Sequence, residues 1–178
     1  MPCLKCKLLV KSRQRIVKGY GSGKSGIMFI GIAPGCHLLR GVADSTGIPF
    51  KGDASGRLFE RLLADLGLTR EDVYTTNLVK CRPASSDKLY NRLPSQDEIA
   101  NCFPSLLREI QSVGPFVIVC FGHIVYETLI KEKAIHKFIL DGYSIFYTWH
   151  PAYIARDSMR YNEWLADIKM KIGKRRKS

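Results

Sequence analysis

The chain has 178 residues, 46% hydrophobic and 25% charged, which suits one globular domain and excludes a disordered or collagen-like polymer. Lysine and arginine total 28 against 16 acidic residues, and the formal charge of +12 is the footprint of a polyanion binder, nucleic acid first, although a merely basic solvated surface has the same composition. No run of about 18 apolar residues occurs, and the chain opens on polar and cysteine residues instead of a charged and then apolar leader, so an intracellular, cytoplasmic location without membrane contact is expected.

Residues Cys3 to Gly26 are basic and irregular. Within them Gly23-Lys24-Ser25 resembles the end of a phosphate-binding loop, but the glycine required five positions earlier is Lys18, and a strand follows where a helix should open. A basic turn is the simpler account. Ile27 to Ile32 reads as a short buried strand running into Ala33-Pro34-Gly35. The stretch from Gly35 to Ser55 is rich in Gly, Asp, Ser and Thr and too long for a simple turn, so chemistry is expected there.

Leu58, Leu62, Leu63 and Leu66 recur at helical spacing and Gly67 closes the segment. Val73 to Val79 reads as a second strand, followed by a loop from Arg82 to Pro94. Ser95 and Glu98 then form a capping box, opening a helix whose apolar face carries Ile99, Cys102, Phe103, Leu106, Leu107 and Ile110, with Pro104 expected to kink or divide it. Pro115 to Gly122 is a third strand, His123 to Ile130 a short helix and Tyr143 to Trp149 a fourth strand. A last helix spans Tyr161 to Ile172, which leaves residues 1–172 as one domain and 173–178 as a disordered basic tail.

Strands alternating with helices imply an α/β fold with a mostly parallel sheet covered on both faces. Ligands of such sheets sit beyond the carboxyl ends of the strands, where Ala33-Pro34-Gly35, Asn77 and His150 all fall. Cys3 and Cys6 form a tight pair, while Cys81 and Cys102 stand 21 positions apart on separate elements. Four thiolates suffice for a zinc ion or a 4Fe–4S cluster, and the wide spacing favours the bulkier cluster. Buried thiols acting as small hydrophobes are the plainer alternative, which suits Cys120 in its apolar strand. Cys36, in the long loop, fits either reading.

At Gly31–Gly35 (GIAPG), Thr46–Gly56 (TGIPFKGDASG), Thr76–Pro83 (TNLVKCRP), Asn101–Pro104 (NCFP) and Trp149–Tyr153 (WHPAY), the chain resembles the iron–sulfur uracil-DNA glycosylases of families 4 and 5, in the family's order and from Cys3 to about Arg156. The resemblance implies a three-layer α/β/α sandwich around a four-stranded sheet, with Cys3, Cys6, Cys81 and Cys102 ligating a structural 4Fe–4S cluster. It implies a monofunctional enzyme of base-excision repair, expected to be monomeric, whose pocket, lined by Gly31, Ile32, Ala33, Pro34 and Gly35, receives uracil extruded from DNA. Phe50 would stack on the base, Asn77 would bond its polar edge, and His150 would donate to the carbonyl oxygen that gains charge. Each has a plainer role: Phe50 as core, Asn77 as a turn cap, His150 as a loop residue.

The chain departs from the family 4 pattern at Ile32, where an acidic residue is typical, so no carboxylate acts from that position. The GDASG stretch is closer to family 5 and makes Asp53 the candidate for holding water or stabilising the positive sugar, with Asp44 in reserve; an N-cap for a helix beginning near Gly56 is the structural alternative for Asp53. Ser55, Gly56 and Arg57 are expected to hold phosphates, and Tyr153, Ile154 and Arg156 to enter the groove as the base leaves the stack. A catalytically silent cluster-bearing module and a zinc-stabilised nucleic-acid adaptor are the rival readings. Hypoxanthine and xanthine are further candidate bases.

Overall fold

The alternating apolar segments do assemble into one parallel sheet. The computed structural model describes residues 3–35, 46–86, 90–132, 135 and 142–173. Strands β1 (Ile27–Gly31), β2 (Tyr74–Asn77), β3 (Val117–Phe121) and β4 (Ser144–Thr148) lie in the order β2-β1-β3-β4, every neighbouring pair parallel. All five residues of β1 and all five of β3 are buried, as interior strands covered on two faces must be.

Successive side chains of a strand point to opposite faces, and here they feed two cores. Ile27, Phe29, Val117, Val119 and Phe121 pack against Phe59, Leu62 and Leu63 of α2 (Ala54–Asp65) and Trp164 and Ile168 of α6 (Tyr161–Gly173). Met28, Ile30, Ile118 and Cys120 pack against Leu9 of α1 (Lys7–Ser12), Ile99, Phe103, Leu106 and Ile110 of α3 (Gln96–Val113), and Val125 and Leu129 of α4 (His123–Lys131). The result is the three-layer sandwich. Cys120 behaves as a small hydrophobe, fully buried, with burial pushing its thiol up.

Several elements differ from the sequence reading. A short α1 occupies part of the segment expected to be irregular; it buries only Leu9, too little to leave an apolar period, and Ser12 Oγ ties it to the Arg82 carbonyl at 2.6 Å. Helix α2 opens at Ala54 on the Asp53 cap, and Gly67 takes the left-handed conformation (φ +68°) just past its end. Helix α3 carries the complete Ser95/Glu98 capping box and runs undivided through Pro104, because Phe103 and Leu106 on either side are both held in the core. The one-turn α5 (Pro151–Ile154) and a 3-10 turn (Ser158–Arg160) are additional. Helix α6 includes Gly173, which the sequence reading gave to the tail. Cys36, Asp44 and residues 174–178 lie outside the described residues. Among the described residues, no helix is long and apolar enough to cross a membrane.

Candidate active site

Because the strands are parallel, their carboxyl ends share one edge, and β1 is followed by β2 on one side and β3 on the other. That reversal opens a crevice. A cavity of about 530 Å³ sits there, lined by Ile32, Ala33, Pro34 and Gly35 after β1, by Phe50, Asp53 and Ser55 before and within α2, by Asn77 at the end of β2, by Tyr90 and Asn91, and by His150 and Arg156 after β4. Three remote segments that the sequence reading singled out therefore meet.

Gly31 lies beneath this cavity, paired in register with Asn77. A Cβ at Gly31 would stand 2.5 Å from Asn77 Oδ1 and 2.5 Å from Phe50 Cζ, so only glycine lets the amide and the ring approach. The Phe50 ring meets Phe59 and Phe121 at centroid distances of 5.3 Å each and His150 at 5.9 Å. Phe50 is also a non-glycine residue at φ +52°, a backbone conformation that costs about 1–3 kcal/mol and persists only where neighbours impose it.

Asn77 is buried, and among the described residues its Oδ1 finds no donor. Its backbone is held firmly. The Asn77 carbonyl accepts from Lys80 Nζ at 2.7 Å, and the same ammonium donates to Thr76 Oγ1 and Glu109 Oε2 at 2.6 Å each. Thr76 Oγ1 also donates to Glu109 Oε2 at 2.7 Å. Leu78 and Val79 donate their backbone N–H groups to the carbonyls of Gly31 and Ile32, continuing the pairing past the strand ends. On the far wall Asn91 Nδ2 donates to the Pro34 carbonyl at 2.9 Å while its Oδ1 accepts from Arg82 Nε at 3.0 Å.

His150 is the N-cap of α5, and its Nδ1 accepts the Ala152 N–H at 3.0 Å. Burial holds its imidazole down to about 4; the Asp53 charge opposes that shift and Arg156 adds to it. The ring is therefore neutral at physiological pH. With Nδ1 occupied as an acceptor, the one ring hydrogen sits on Nε2. Asp53 caps α2, Oδ1 accepting the Gly56 N–H at 2.7 Å, while the residue also lines the cavity with Oδ2 3.3 Å from where a Cβ at Gly35 would stand.

The outer residues divide. Ser55 and Arg156 line the cavity, Arg57 is exposed and Tyr153 is 42% exposed. Two expectations are corrected. Ile154 is fully buried against the α2/α6 core and cannot enter a groove. Gly56 is buried, its N–H is taken by Asp53, and a Cβ there would lie 2.6 Å from the Phe50 carbonyl oxygen, so it supports the loop and does not meet phosphate. Ala152, inside the Trp149–Tyr153 motif, also borders the cavity, as do Tyr90, Asn91 and Ala155, to which no periodicity or motif pointed.

The four widely spaced cysteines come into one neighbourhood. Burial pushes the Cys6 and Cys102 thiols up; Cys3 and Cys81 push on Cys6 in the same sense, and Cys81 and Cys3 on Cys102. Arg13 Nη1 donates to Cys81 Sγ at 3.2 Å and its Nη2 to the Cys3 carbonyl at 2.8 Å, while the Lys80 N–H donates to Cys102 Sγ at 3.3 Å. Among the described residues, no group of three or more His, Cys, Asp or Glu side chains is arranged to hold a metal ion.

A family model for the uracil DNA glycosylase superfamily matches residues 18–169. The type-4 uracil-DNA glycosylase of Saccharolobus solfataricus is 44% identical over 165 residues, which cover 84% of this chain and 71% of that protein. The type-4 uracil-DNA glycosylase of Pyrobaculum aerophilum is 34% identical over 185 residues, covering 96% and 88%. Among solved structures, wild-type SMUG2 of Pedobacter heparinus matches with a TM-score of 0.60 at 17% identity, over 81% of this chain and 74% of that one, a likeness of fold.

The state of His150 can be read directly. An unfolded histidine titrates near 6.5 and this one near 4, so its neutral form contributes stability that is fully present above 6.5 and lost as pH falls towards 4. Nitrogen-detected imidazole NMR is expected to give a midpoint near 4, and lower still in Asp53→Asn, because the carboxylate favours the charged ring. A midpoint at 6 or above would contradict the described environment.

Proposed function

The chain belongs to the uracil DNA glycosylase superfamily, and on that premise we propose that it takes uracil out of the DNA stack and hydrolyses its N-glycosidic bond, leaving an abasic site. The observation that carries this reading is the orphaned Asn77 Oδ1, an acceptor buried beside an aromatic ring in the crevice. A buried acceptor without a donor is costly unless a ligand supplies one, and uracil offers N3–H. Cytosine has a bare acceptor at that ring position. The Asn77 amide would donate to O4 in the same plane, and the Phe50 face would cover the ring.

Cleavage of N1–C1′ leaves positive charge on the sugar and negative charge on the base. His150, neutral and protonated on Nε2, stabilises the charge growing on O2 without competing for a proton. Asp53 Oδ2 orients the water whose oxygen bonds to C1′, and its charge, with those of the DNA phosphates, favours the cationic sugar. The water proton leaves to solvent, and the released base anion is protonated there. Ile32 supplies no carboxylate, so Asp53 carries this role alone among the described residues that line the cavity. Arg57, Ser55 and Arg156 serve the phosphates, and exposed Tyr153 is the wedge that takes the place of the extruded base. The enzyme acts as a monomer on DNA.

Cys3, Cys6, Cys81 and Cys102 hold a 4Fe–4S cluster in this reading. Their thiols share one electrostatic neighbourhood, and N–H donors reach the sulfurs of Cys81 and Cys102, the kind of hydrogen bonding that accompanies cluster sulfur ligands. When bound, the cluster supplies structural bracing: it ties the N-terminal segment to the loop after β2 and to α3.

Purified protein is expected to release free uracil from a single-uracil oligonucleotide, with His150→Ala slowing single-turnover release by ~10²–10³-fold. Asp53→Asn is expected to slow it as well; unchanged release in both variants would refute the assignment. Anaerobically purified protein is expected to be brown, with iron and sulfide near a ratio of one. Cys81→Ala or Cys102→Ala should abolish the colour and Cys120→Ala retain it. A colourless protein with stoichiometric zinc would overturn the cluster.

A further inference from the structure

Phe50 poses a question that the site itself leaves open: what keeps a bulky residue at φ +52° in the loop before α2. The answer lies some twenty residues further along the chain, between α2 and β2. Arg70 Nη1 donates to the Pro49 carbonyl and Nη2 to the Phe50 carbonyl, both at 2.7 Å. The guanidinium is aimed by Glu60 of α2, whose Oε1 accepts from Nε at 2.7 Å and lies 2.6 Å from Nη2. Its Cζ lies 5.2 Å from the centre of the Phe59 ring, which in turn packs against Phe50 at a centroid distance of 5.3 Å. The Arg70 side chain is only 10% exposed, so this is a built-in strut.

From these contacts we infer that Arg70 is the positioning residue for Phe50: its two-pronged grip on consecutive carbonyls fixes the strained turn and sets the depth of the aromatic ring in the uracil slot. The inference rests on the proposed glycosylase reading and deepens it. Two carbonyls pointing the same way is not a conformation the loop would choose unaided, since their dipoles repel. A planar fork of fixed N–H directions offsets that repulsion, and an ammonium on a flexible stem cannot satisfy both oxygens with the same geometry. Gly56 completes the arrangement from the other side, because any side chain there would strike the same Phe50 carbonyl oxygen at 2.6 Å. Arg70 does not itself line the cavity; it reaches the site through the backbone of Phe50, which does.

Single-turnover uracil release, measured for wild type, Arg70→Ala, Phe50→Ala and the double variant, tests this. A misplacement of about 1 Å can cost ~10²-fold, so Arg70→Ala is expected to slow the bond-breaking step ~10–100-fold with little change in the KM for DNA. Because the arginine works through the ring, the double variant should lie within about threefold of Phe50→Ala alone. A purely structural arginine would instead lower the melting temperature and multiply its effect with that of Phe50→Ala. Arg70→Lys keeps the charge and the Glu60 pair but loses the fork; it should be ~3–10-fold slow, and its cycle with Phe50→Ala replaces the first if Arg70→Ala does not fold. Arg70 variants at the wild-type rate, or effects that multiply, overturn the inference. A wild type with no uracil release removes the glycosylase reading instead, a separate outcome.

Discussion

Gly31 pairs in register with Asn77, and the absence of a side chain on that glycine is what the crevice is built around. The strand pairing brings a buried amide to the carboxyl edge of the sheet, and the missing Cβ lets the Phe50 ring come in over it. Any larger residue at that position would push apart the Asn77 amide and the Phe50 ring, the two groups proposed to meet one edge and one face of the same base. The backbone bonds from Leu78 and Val79 to Gly31 and Ile32 carry the pairing beyond the regular strands, so the loop bearing Ala33, Pro34 and Gly35 is fastened to the same edge.

Around that fixed point, three polar devices hold the walls. Lys80 and Glu109 secure the backbone of Asn77, Arg70 and Glu60 secure that of Phe50, and Asn91 bridges Pro34 to Arg82. In each case a charged or amide group grips a carbonyl, leaving the pocket side chain free for a ligand. The electrostatics follow the same division of labour: inside, a neutral imidazole and an amide oxygen that finds no donor among the described residues, and cationic side chains at the rim of a chain whose net charge is +12. In the proposed reading, long-range attraction gathers the polyanion and short-range hydrogen bonding selects the base.

Much of this was legible in the chain because its signals are local. The apolar runs of β1 and β3, the Ser95/Glu98 capping box and Gly67 after α2 each follow from neighbours a few residues away, and parallel topology then forces Gly35, Asn77 and His150 to a common edge. What stayed hidden depends on distance or on facing. Arg70 reaches back 20 residues, Lys80 forward 29 and Asn91 back 57, and none of these contacts leaves a period or spacing to detect. Gly56 ends one motif segment and Ile154 directly follows another, yet the short α5 turns Ile154 into the core and the Asp53 cap turns Gly56 under Phe50; closeness to a motif did not reveal which way each residue faces. At Pro104, of the two outcomes expected, a kink or a division, the helix is not divided, and apolar residues on both sides of the proline are held in the core.

The account is tested most directly by blocking the one hydrogen bond on which base selection rests. Oligonucleotides carrying uracil or N3-methyluracil at the same position should be cleaved at very different rates, the methylated base at least ~10²-fold more slowly, because the methyl group removes the donor and occupies the space in front of Asn77 Oδ1. Equal release of the two bases would mean that the buried amide does not read the pyrimidine edge.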